Sequence, residues 1–277
     1  MAKKIYEHNF TVPLIVALVA LAALLGVYFS MDRPEKPPAE TTTEPEETTT
    51  EPEEPEEKEP MPPVTFKSDL SAYESAMTAS DEKYLVLINK QNKVTASFVP
   101  APLAAVADTH KSITLEATAA RALEAMFIEM RAAGVGGGVF VTSAYRTYAY
   151  QQNLFDGYIK TEKSKNPALT NAEAREKVLR YSAEPGTSEH QSGLSVDLMT
   201  TRMADLDESF AKEPVFAWLS ENAWKFGFVL RFPKDKTALT GYDYEPWHYR
   251  FVGRAAAYEI WRDSLCLEEY LNYRGNA

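Results

Sequence analysis

Residues 188–199 read SEHQSGLSVDLM, a polar turn that contains glycine and runs into an alternating segment. The alternation in GLSVDLM predicts a β-strand over residues 193–199. His190 lies in the turn and Asp197 lies on the strand. The pair is compatible with two metal ligands, with two members of a hydrolase triad or with an ordinary polar turn. The remaining partners therefore have to come from elsewhere in the chain.

Helix and strand patterns surround this stretch without a strict βαβ rhythm, and the chain has no internal repeat. Thr170 and Glu173 match a capping box, which predicts the start of a helix, while Gly134 and Gly227 stand where helices are expected to end. We therefore expect one α+β domain with a small, mainly antiparallel sheet flanked by helices. The predicted strands are 83–90, 137–146, 193–199 and 247–253, and the predicted helices are 114–134, 147–163, 171–182, 213–228 and 254–271.

Residues 11–30, TVPLIVALVALAALLGVYFS, carry no charge. A helix of this length reaches about 30 Å, the thickness of the hydrocarbon core of a bilayer. The run is longer than a secretory h-region and no small-residue cleavage site follows it, which predicts an uncleaved transmembrane signal-anchor. Lys3 and Lys4 precede the run, so residues 1–10 are expected in the cytoplasm and the rest of the chain outside the cell.

Residues 31–63 are rich in proline, threonine and glutamate, which predicts a disordered, acidic stalk. The stalk carries most of the net charge of −11, and residues 64–277 are only slightly acidic. Because the folded part shows no basic patch, nothing supports a nucleic-acid partner. The single cysteine, Cys266, excludes a disulfide within the chain and makes a cysteine-based metal site improbable.

A catalytic zinc site uses three protein ligands, commonly histidines with a carboxylate, and leaves a fourth position open. His190, Asp197 and His248 can form such a set, because both histidines lie in polar segments that contain glycine or proline. Glu245 precedes His248 by three residues. A bend at Pro246 would bring the Glu245 carboxylate beside the metal, where it can act as a general base.

A hydrolase triad would instead use Ser188 with His190 and Asp197. No G-x-S-x-G elbow surrounds Ser188, and a spacing of two residues rarely allows a hydrogen bond between serine and histidine. A third interpretation treats the histidine as a loop residue, as we interpret His110, and the aspartate as a capping residue. Two histidines accompanied by two carboxylates favour the metal interpretation.

Four ordered motifs resemble the VanY-like zinc D,D-carboxypeptidases of bacterial cell-wall metabolism, LAS-type metallopeptidases that include LdcB-like L,D-carboxypeptidases. Residues 188–197 match S-x-H-x-x-G-x-[AS]-x-D, and residues 245–248 read EPWH. TSAYRTYAYQ at 142–151 is similar to the substrate motif of that family. Residues 227–253 match the sequence pattern of the family almost throughout. The resemblance covers roughly residues 80–265.

The resemblance implies one zinc ion held by His190, Asp197 and His248. It implies that Glu245 is the general base. Arg146 then resembles the cation that stabilises the developing oxyanion or the carbonyl of the substrate.

The same resemblance implies that Gln151 and Ser188 contact the substrate peptide, with the adjacent Gln152 as an alternative to Gln151. Tyr145 and Trp247 complete the set of expected substrate contacts. Both rings have a core residue as the alternative, which for Tyr145 is equally favoured, and Trp247 is expected to line the cleft.

Two departures from the family pattern are mild, because neither removes a catalytic group. Ser195 stands where alanine is commoner, and Ala144 stands where glycine is usual. Arg231 and Arg250 are interpreted as structural residues.

The resemblance, together with the candidate ligand set, implies a zinc D,D-carboxypeptidase domain over residues 64–277 that removes the terminal D-alanine from peptidoglycan stem peptides. The domain is expected on the outer side of the cell membrane, held by a single-pass N-terminal helix. The alternatives are an L,D-carboxypeptidase that acts on tetrapeptide stems and a non-catalytic peptidoglycan-binding module. The stalk argues against a cytosolic dipeptidase, and Glu245 argues against a module that only binds.

Overall fold

The computed structural model describes residues 60–275, which are organised around two antiparallel sheets. The strands are β1 (Leu103–Ala105), β2 (Thr114–Glu116), β3 (Val139–Ser143), β4 (Ser195–Thr200), β5 (Phe228–Leu230) and β6 (His248–Phe251). Strands β1 and β2 form a two-stranded sheet, and the larger sheet has the order β3–β4–β6–β5.

Helices flank the sheets in this part of the chain. The α-helices are α1 (Glu74–Met77), α2 (Ala117–Ala132), α3 (Tyr148–Lys165), α4 (Asn171–Val178), α5 (Pro214–Asn222), α6 (Thr237–Thr240), α7 (Arg254–Arg262) and α8 (Leu267–Gly275). Short 3-10 helices occupy Ser71–Tyr73, Glu82–Leu85, Glu189–Ser192, Glu208–Lys212, Ala223–Phe226 and Lys234–Lys236. The α+β class and the antiparallel sheet expected from the sequence are confirmed.

Helix α2 supplies one side of the main hydrophobic core. It begins after Glu116, whose carboxylate caps backbone N–H groups of the first turn, and it ends just before Gly134, which has a φ of +80°. Its buried side chains, such as Met126, pack in one core with Val141 of β3 and Leu198 of β4. The capping box at the start of α4 is also present as predicted.

The register of the larger sheet places three polar residues side by side. Asp197 on β4 pairs with Ser143 on β3 and with His248 on β6. The pairing of β3 with β4 is irregular between Val141 and Ser143, and such irregularities re-aim side chains next to active sites. Directly opposite residues of antiparallel strands lie close together on one face, so the sheet brings Asp197 and His248 together.

The predicted strand at residues 83–90 is wrong. Glu82–Leu85 form a 3-10 helix, and the following residues are irregular. The carbonyl oxygens of Tyr84 and Val86 accept hydrogen bonds from Arg250 Nη2 at 2.9 and 2.8 Å. A buried side chain thus satisfies these backbone groups, which removes the need for a neighbouring strand.

The final predicted helix, residues 254–271, is two helices. The chain turns between α7 and α8 at Ser264, whose φ is +52°. The helix that we expected to end at Gly227 is present, although its last turn, Ala223–Phe226, is a 3-10 helix.

The predicted cytoplasmic segment (1–10) and signal-anchor (11–30) lie outside the described residues, and so does the stalk (31–63) up to residue 59. These assignments therefore stay predictions. Between residues 60 and 275, no helix combines the length and the apolar character that crossing a membrane requires.

Candidate active site

Three buried side chains meet beside β4. His190 comes from the 3-10 helix Glu189–Ser192, Asp197 from β4 and His248 from the first position of β6. Each residue offers one nitrogen or oxygen ligand atom, and these atoms all lie within 4.8 Å of one another. His190 Nε2 is 3.1 Å from Asp197 Oδ2, and His248 Nδ1 is 3.1 Å from Asp197 Oδ1. The structure thus brings together the three metal ligands that the sequence suggested.

These distances fit the donor set of a zinc ion. Tetrahedral ligands at about 2.0–2.1 Å from zinc lie about 3.3 Å from each other, close to both separations from Asp197. Asp197 Oδ1 is buried, and although His248 Nδ1 lies 3.1 Å away, no contact of this oxygen among residues 60–275 has the geometry of a hydrogen bond. A buried acceptor without a donor calls for a missing partner, and a cation between the two histidines supplies one.

The partners of the two imidazoles determine which nitrogen faces the ligand set. His190 Nδ1 lies 2.7 Å from the carbonyl oxygen of Ala144, which can only accept. His248 Nε2 lies 3.3 Å from Glu189 Oε2. Each of these two nitrogens therefore carries a proton, so His190 Nε2 and His248 Nδ1 are the nitrogens that face a metal. Because the carbonyl of residue 144 makes the contact, alanine serves there as well as glycine.

Burial and charge set the pKa values of these groups. Burial, together with the charge of Arg146, lowers the pKa of His190 to about 4. Burial alone would lower the pKa of His248 too, but Asp197 and Glu189 raise it to about 9, so a metal ion that binds at Nδ1 displaces a proton from it. Burial alone would raise the pKa of Asp197, yet the two histidines hold it well below its usual range. An ionised carboxylate thus faces both imidazoles, as a cation site requires.

Glu245 reaches the ligand set because the chain bends where Pro246 led us to expect. The backbone N–H of His248 donates to the carbonyl of Glu245 at 3.1 Å, which closes a turn. The turn places Glu245 Oε2 3.5 Å from His248 Nδ1. Burial raises the pKa of Glu245 to about 7, and the negative charge of Asp197 contributes in the same direction. A carboxylate with a pKa near neutrality suits a general base.

Arg146 stands on another side of the same ligand set. Its Nη2 is 3.3 Å from Asp197 Oδ2, its Nε donates to Ser143 Oγ at 3.1 Å and its Nη1 donates to Gln151 Oε1 at 2.8 Å. These bonds use three of the five guanidinium donors. Arg146 also lines the cleft, so its other donors are available to a ligand there.

The expected substrate contacts occupy different environments. Gln151 is fully buried, and its amide bonds Arg146 and the carbonyl of Ala183. Ser188 and Trp247 line a cleft of about 680 Å³ that also contains the ligand set. Tyr145 is half-buried and is not among the lining residues described for the cleft.

The triad interpretation finds no support in the geometry. His190 Nδ1 bonds a backbone carbonyl and His190 Nε2 faces Asp197. Among the described residues, Ser188 Oγ makes no hydrogen bond to His190, so nothing prepares it to act as a nucleophile.

Sequence reasoning missed Glu189. This residue precedes His190 and is buried among arginines, and its carboxylate faces His248. All residues of the turn from Ser188 to Ser192 are buried. Their burial could not be predicted from the sequence, because these residues are polar.

Comparison with known proteins agrees with this geometry. The family model described as VanY, D-alanyl-D-alanine carboxypeptidase, matches residues 112–254. The chain belongs to the VanY family. The matched range includes every residue of the ligand set as well as Glu245 and Arg146.

A curated relative aligns with most of the residues that the structure describes. A D-alanyl-D-alanine carboxypeptidase of Enterococcus faecalis is 40% identical over 188 residues, which span 68% of this chain and 65% of that protein. The chain thus spans slightly less than two thirds of the length of this curated relative.

Two solved structures have similar folds. A variant of the vancomycin-resistance D,D-pentapeptidase VanY from a VanB-type cassette, in complex with Zn(II), has a TM-score of 0.58 and 38% identity, and the match covers 69% of this chain and 99% of that one. The LD-carboxypeptidase LdcB has a TM-score of 0.60 and 30% identity, with coverage of 71% and 97%.

Proposed function

We propose that this protein is a zinc-dependent D,D-carboxypeptidase that removes the terminal D-alanine from peptidoglycan stem peptides. One observation carries the proposal: a carboxylate, Glu245, and a guanidinium, Arg146, flank the same His–Asp–His ligand set. The VanY relatives add the substrate class, since one related structure is described as a complex with D-alanine-D-alanine.

The proposed roles follow from the positions of the side chains. A zinc ion held by His190, Asp197 and His248 would supply Lewis acidity toward a carbonyl oxygen. Glu245 takes a proton from the attacking water at Oε2 and later delivers it to the leaving amine. Arg146 donates its remaining N–H groups to the scissile carbonyl oxygen as negative charge develops there.

A binding module would need the cleft but not the base. Glu245 lies in a buried position that raises its pKa, and burial of this carboxylate costs free energy whatever its role. A module that only binds would gain nothing from it. The presence of this carboxylate next to the ligand set therefore supports an enzyme rather than a peptidoglycan-binding module.

The nearest alternative is an L,D-carboxypeptidase that acts on tetrapeptide stems, because LdcB is similar in fold. We favour D,D-cleavage because the identity to the VanY D,D-pentapeptidase is higher, 38% against 30%. Both activities would use the same ligand set and base.

A digestion of defined peptides tests the proposal. The full chain loaded with zinc is incubated with a pentapeptide stem that ends in D-Ala-D-Ala and with a tetrapeptide stem that ends in one D-Ala, and the products are read by mass spectrometry. Loss of one alanine from the pentapeptide alone supports the D,D-carboxypeptidase. Cleavage of the tetrapeptide alone supports the L,D alternative, and binding without cleavage supports the module.

The location of the protein is also a proposal. We infer that residues 11–30 anchor the chain in the cell membrane and that the acidic segment 31–63 holds the catalytic domain on the cell-wall side. The support is the uncharged run preceded by Lys3 and Lys4. Protease added to intact protoplasts should release the domain into the medium, whereas a domain inside the cytoplasm would be protected.

A further inference from the structure

Each carboxylate oxygen of Glu189 contacts two hydrogen-bonding groups. Oε1 accepts from Arg231 Nε and from Arg250 Nη1, both at 2.6 Å. Oε2 accepts from Ser195 Oγ at 2.8 Å and lies 3.3 Å from His248 Nε2. An ionised carboxylate offers no proton, so the contact with His248 requires a hydrogen on Nε2.

The charge of Glu189 is balanced by buried arginines. The side chains of Arg231 and Arg250 are fully buried, and that of Glu189 is 1% exposed. Arg231 also forms a two-bonded pair with Glu268, with distances of 2.8 and 2.7 Å. Two carboxylates thus neutralise two guanidinium groups inside the protein, which is the condition for stable buried charge.

We infer that Glu189 is a positioning residue for the metal site. Its carboxylate holds the Nε2–H of His248 so that Nδ1 points at Asp197. The inference rests on the proposed function, since it assigns Glu189 a role in the zinc site. Arg231 and Arg250 keep the carboxylate ionised and immobile, and the carboxylate keeps the imidazole in the tautomer that binds a metal. A side chain that orients a ligating histidine in this way raises metal affinity.

Segments outside the matched range 112–254 complete the charge network around the arginines. Glu268 lies on α8, and Asn89 Nδ2 donates to its Oε1 at 3.2 Å. Arg250 donates to the backbone carbonyls of Tyr84 and Val86. The segment around residues 84–89 and helix α8 therefore contact the two arginines of the network rather than His248 itself.

The experiment compares Glu189→Gln with Glu268→Gln in the full chain. Both substitutions remove one negative charge from the same buried network, but only Glu189 contacts His248. The glutamine amide at position 189 must turn an N–H toward either the arginines or His248. The zinc dissociation constant is measured by competition with a chromophoric chelator, and the absorption spectrum of the Co(II)-substituted protein reports ligand geometry.

We expect Glu189→Gln to weaken zinc binding by about 10- to 100-fold and to change the Co(II) spectrum, with Glu268→Gln within about threefold of the parent chain. Equal zinc affinities for the parent and Glu189→Gln, or equal losses in both variants, would overturn the inference. Parent protein that binds no zinc would instead overturn the proposed function.

A charge-conserving pair guards against loss of folding. Glu189→Asp and Glu268→Asp retain the charges that neutralise the arginines but retract the carboxylate by one methylene. If a glutamine variant fails to unfold cooperatively on heating, the aspartate pair decides. Weaker zinc binding in Glu189→Asp alone supports the positioning role, and unchanged binding in Glu189→Asp contradicts it.

Discussion

Gln151 Oε1 accepts a hydrogen bond from Arg146 Nη1 at 2.8 Å, while Gln151 Nε2 donates to the carbonyl of Ala183 at 2.7 Å. The amide is fully buried and both of its ends are engaged. Gln151 therefore holds the guanidinium in place beside Asp197, and we expect it to act on a substrate through Arg146.

Replacing Gln151 with leucine should lower kcat/KM about 10- to 100-fold, because a hydrogen bond to a charged group contributes about 1.5–3 kcal/mol. Zinc content should stay unchanged. Gln152→Leu is the matched control, since the neighbouring Gln152 bonds only Asp156 among the described residues. Steady-state kinetics on a pentapeptide stem measure both variants, and an equal loss in the control would contradict the role of Gln151.

Replacing Glu245 with glutamine should lower kcat about 10²- to 10⁴-fold, the range that general bases contribute. The variant should still bind zinc, because Glu245 is not one of the three ligands. Release of D-alanine and metal content are measured on the same preparation. Asp243→Asn, which removes an exposed carboxylate from the same cleft, should change kcat by no more than about twofold. Retained activity in Glu245→Gln would remove the base from the mechanism.

His190→Ala and His248→Ala should each abolish tight zinc binding, because a site with two remaining ligands cannot hold the ion against dialysis. His110→Ala should retain about one zinc per chain, the stoichiometry of a single three-ligand site. His110 is exposed and its ring lies 4.5 Å from that of Phe140. Emission spectroscopy after dialysis gives the metal content. Zinc lost from the His110 variant would point to a ligand set other than the one described.

Replacing Gly253 with alanine should lower the free energy of unfolding by about 3 kcal/mol, the sum of backbone strain and a steric clash. Gly253 has a φ of +82°, and a Cβ there would overlap the carbonyl oxygen of Ala79. Gly134 has a similar φ of +80° but open space around it, so Gly134→Ala should lose only about 1 kcal/mol. Chemical denaturation measures both values, and equal losses would show that the contact with Ala79 is unimportant.

Local patterns predicted much of the fold correctly. The capping box of Thr170 and Glu173, the helix end at Gly134 and the alternation of β4 depend on neighbours within a few residues. The predicted strand at residues 83–90 was wrong because the conformation of this segment depends on a residue far away along the chain. Its β-rich composition suggests a strand, but the side chain of Arg250, far along the chain, takes the hydrogen bonds that a neighbouring strand would have made.

The site divides in the same way. The types of residue at His190, Asp197 and His248, and the polar segments around them, predicted the ligand set. The bend at Pro246 could be predicted from the ring constraint of proline. The hydrogen-bond partners of Gln151 and Glu189 could not be predicted from the sequence, because only folding brings them close. Gln151 was expected to contact substrate, which stays a prediction; the structure shows its buried amide bonded to Arg146.

The sequence by itself indicated the family of this protein, the candidate donor set and the proposed general base, because zinc chemistry depends on which side chains are present. Only the tertiary structure decided how these groups are oriented. The pairing of β4 with β6 places Asp197 opposite His248, and buried arginines hold Glu189 against the histidine. Orientation comes from sheet register and charge compensation between distant segments, and neither leaves a periodic signal in the sequence.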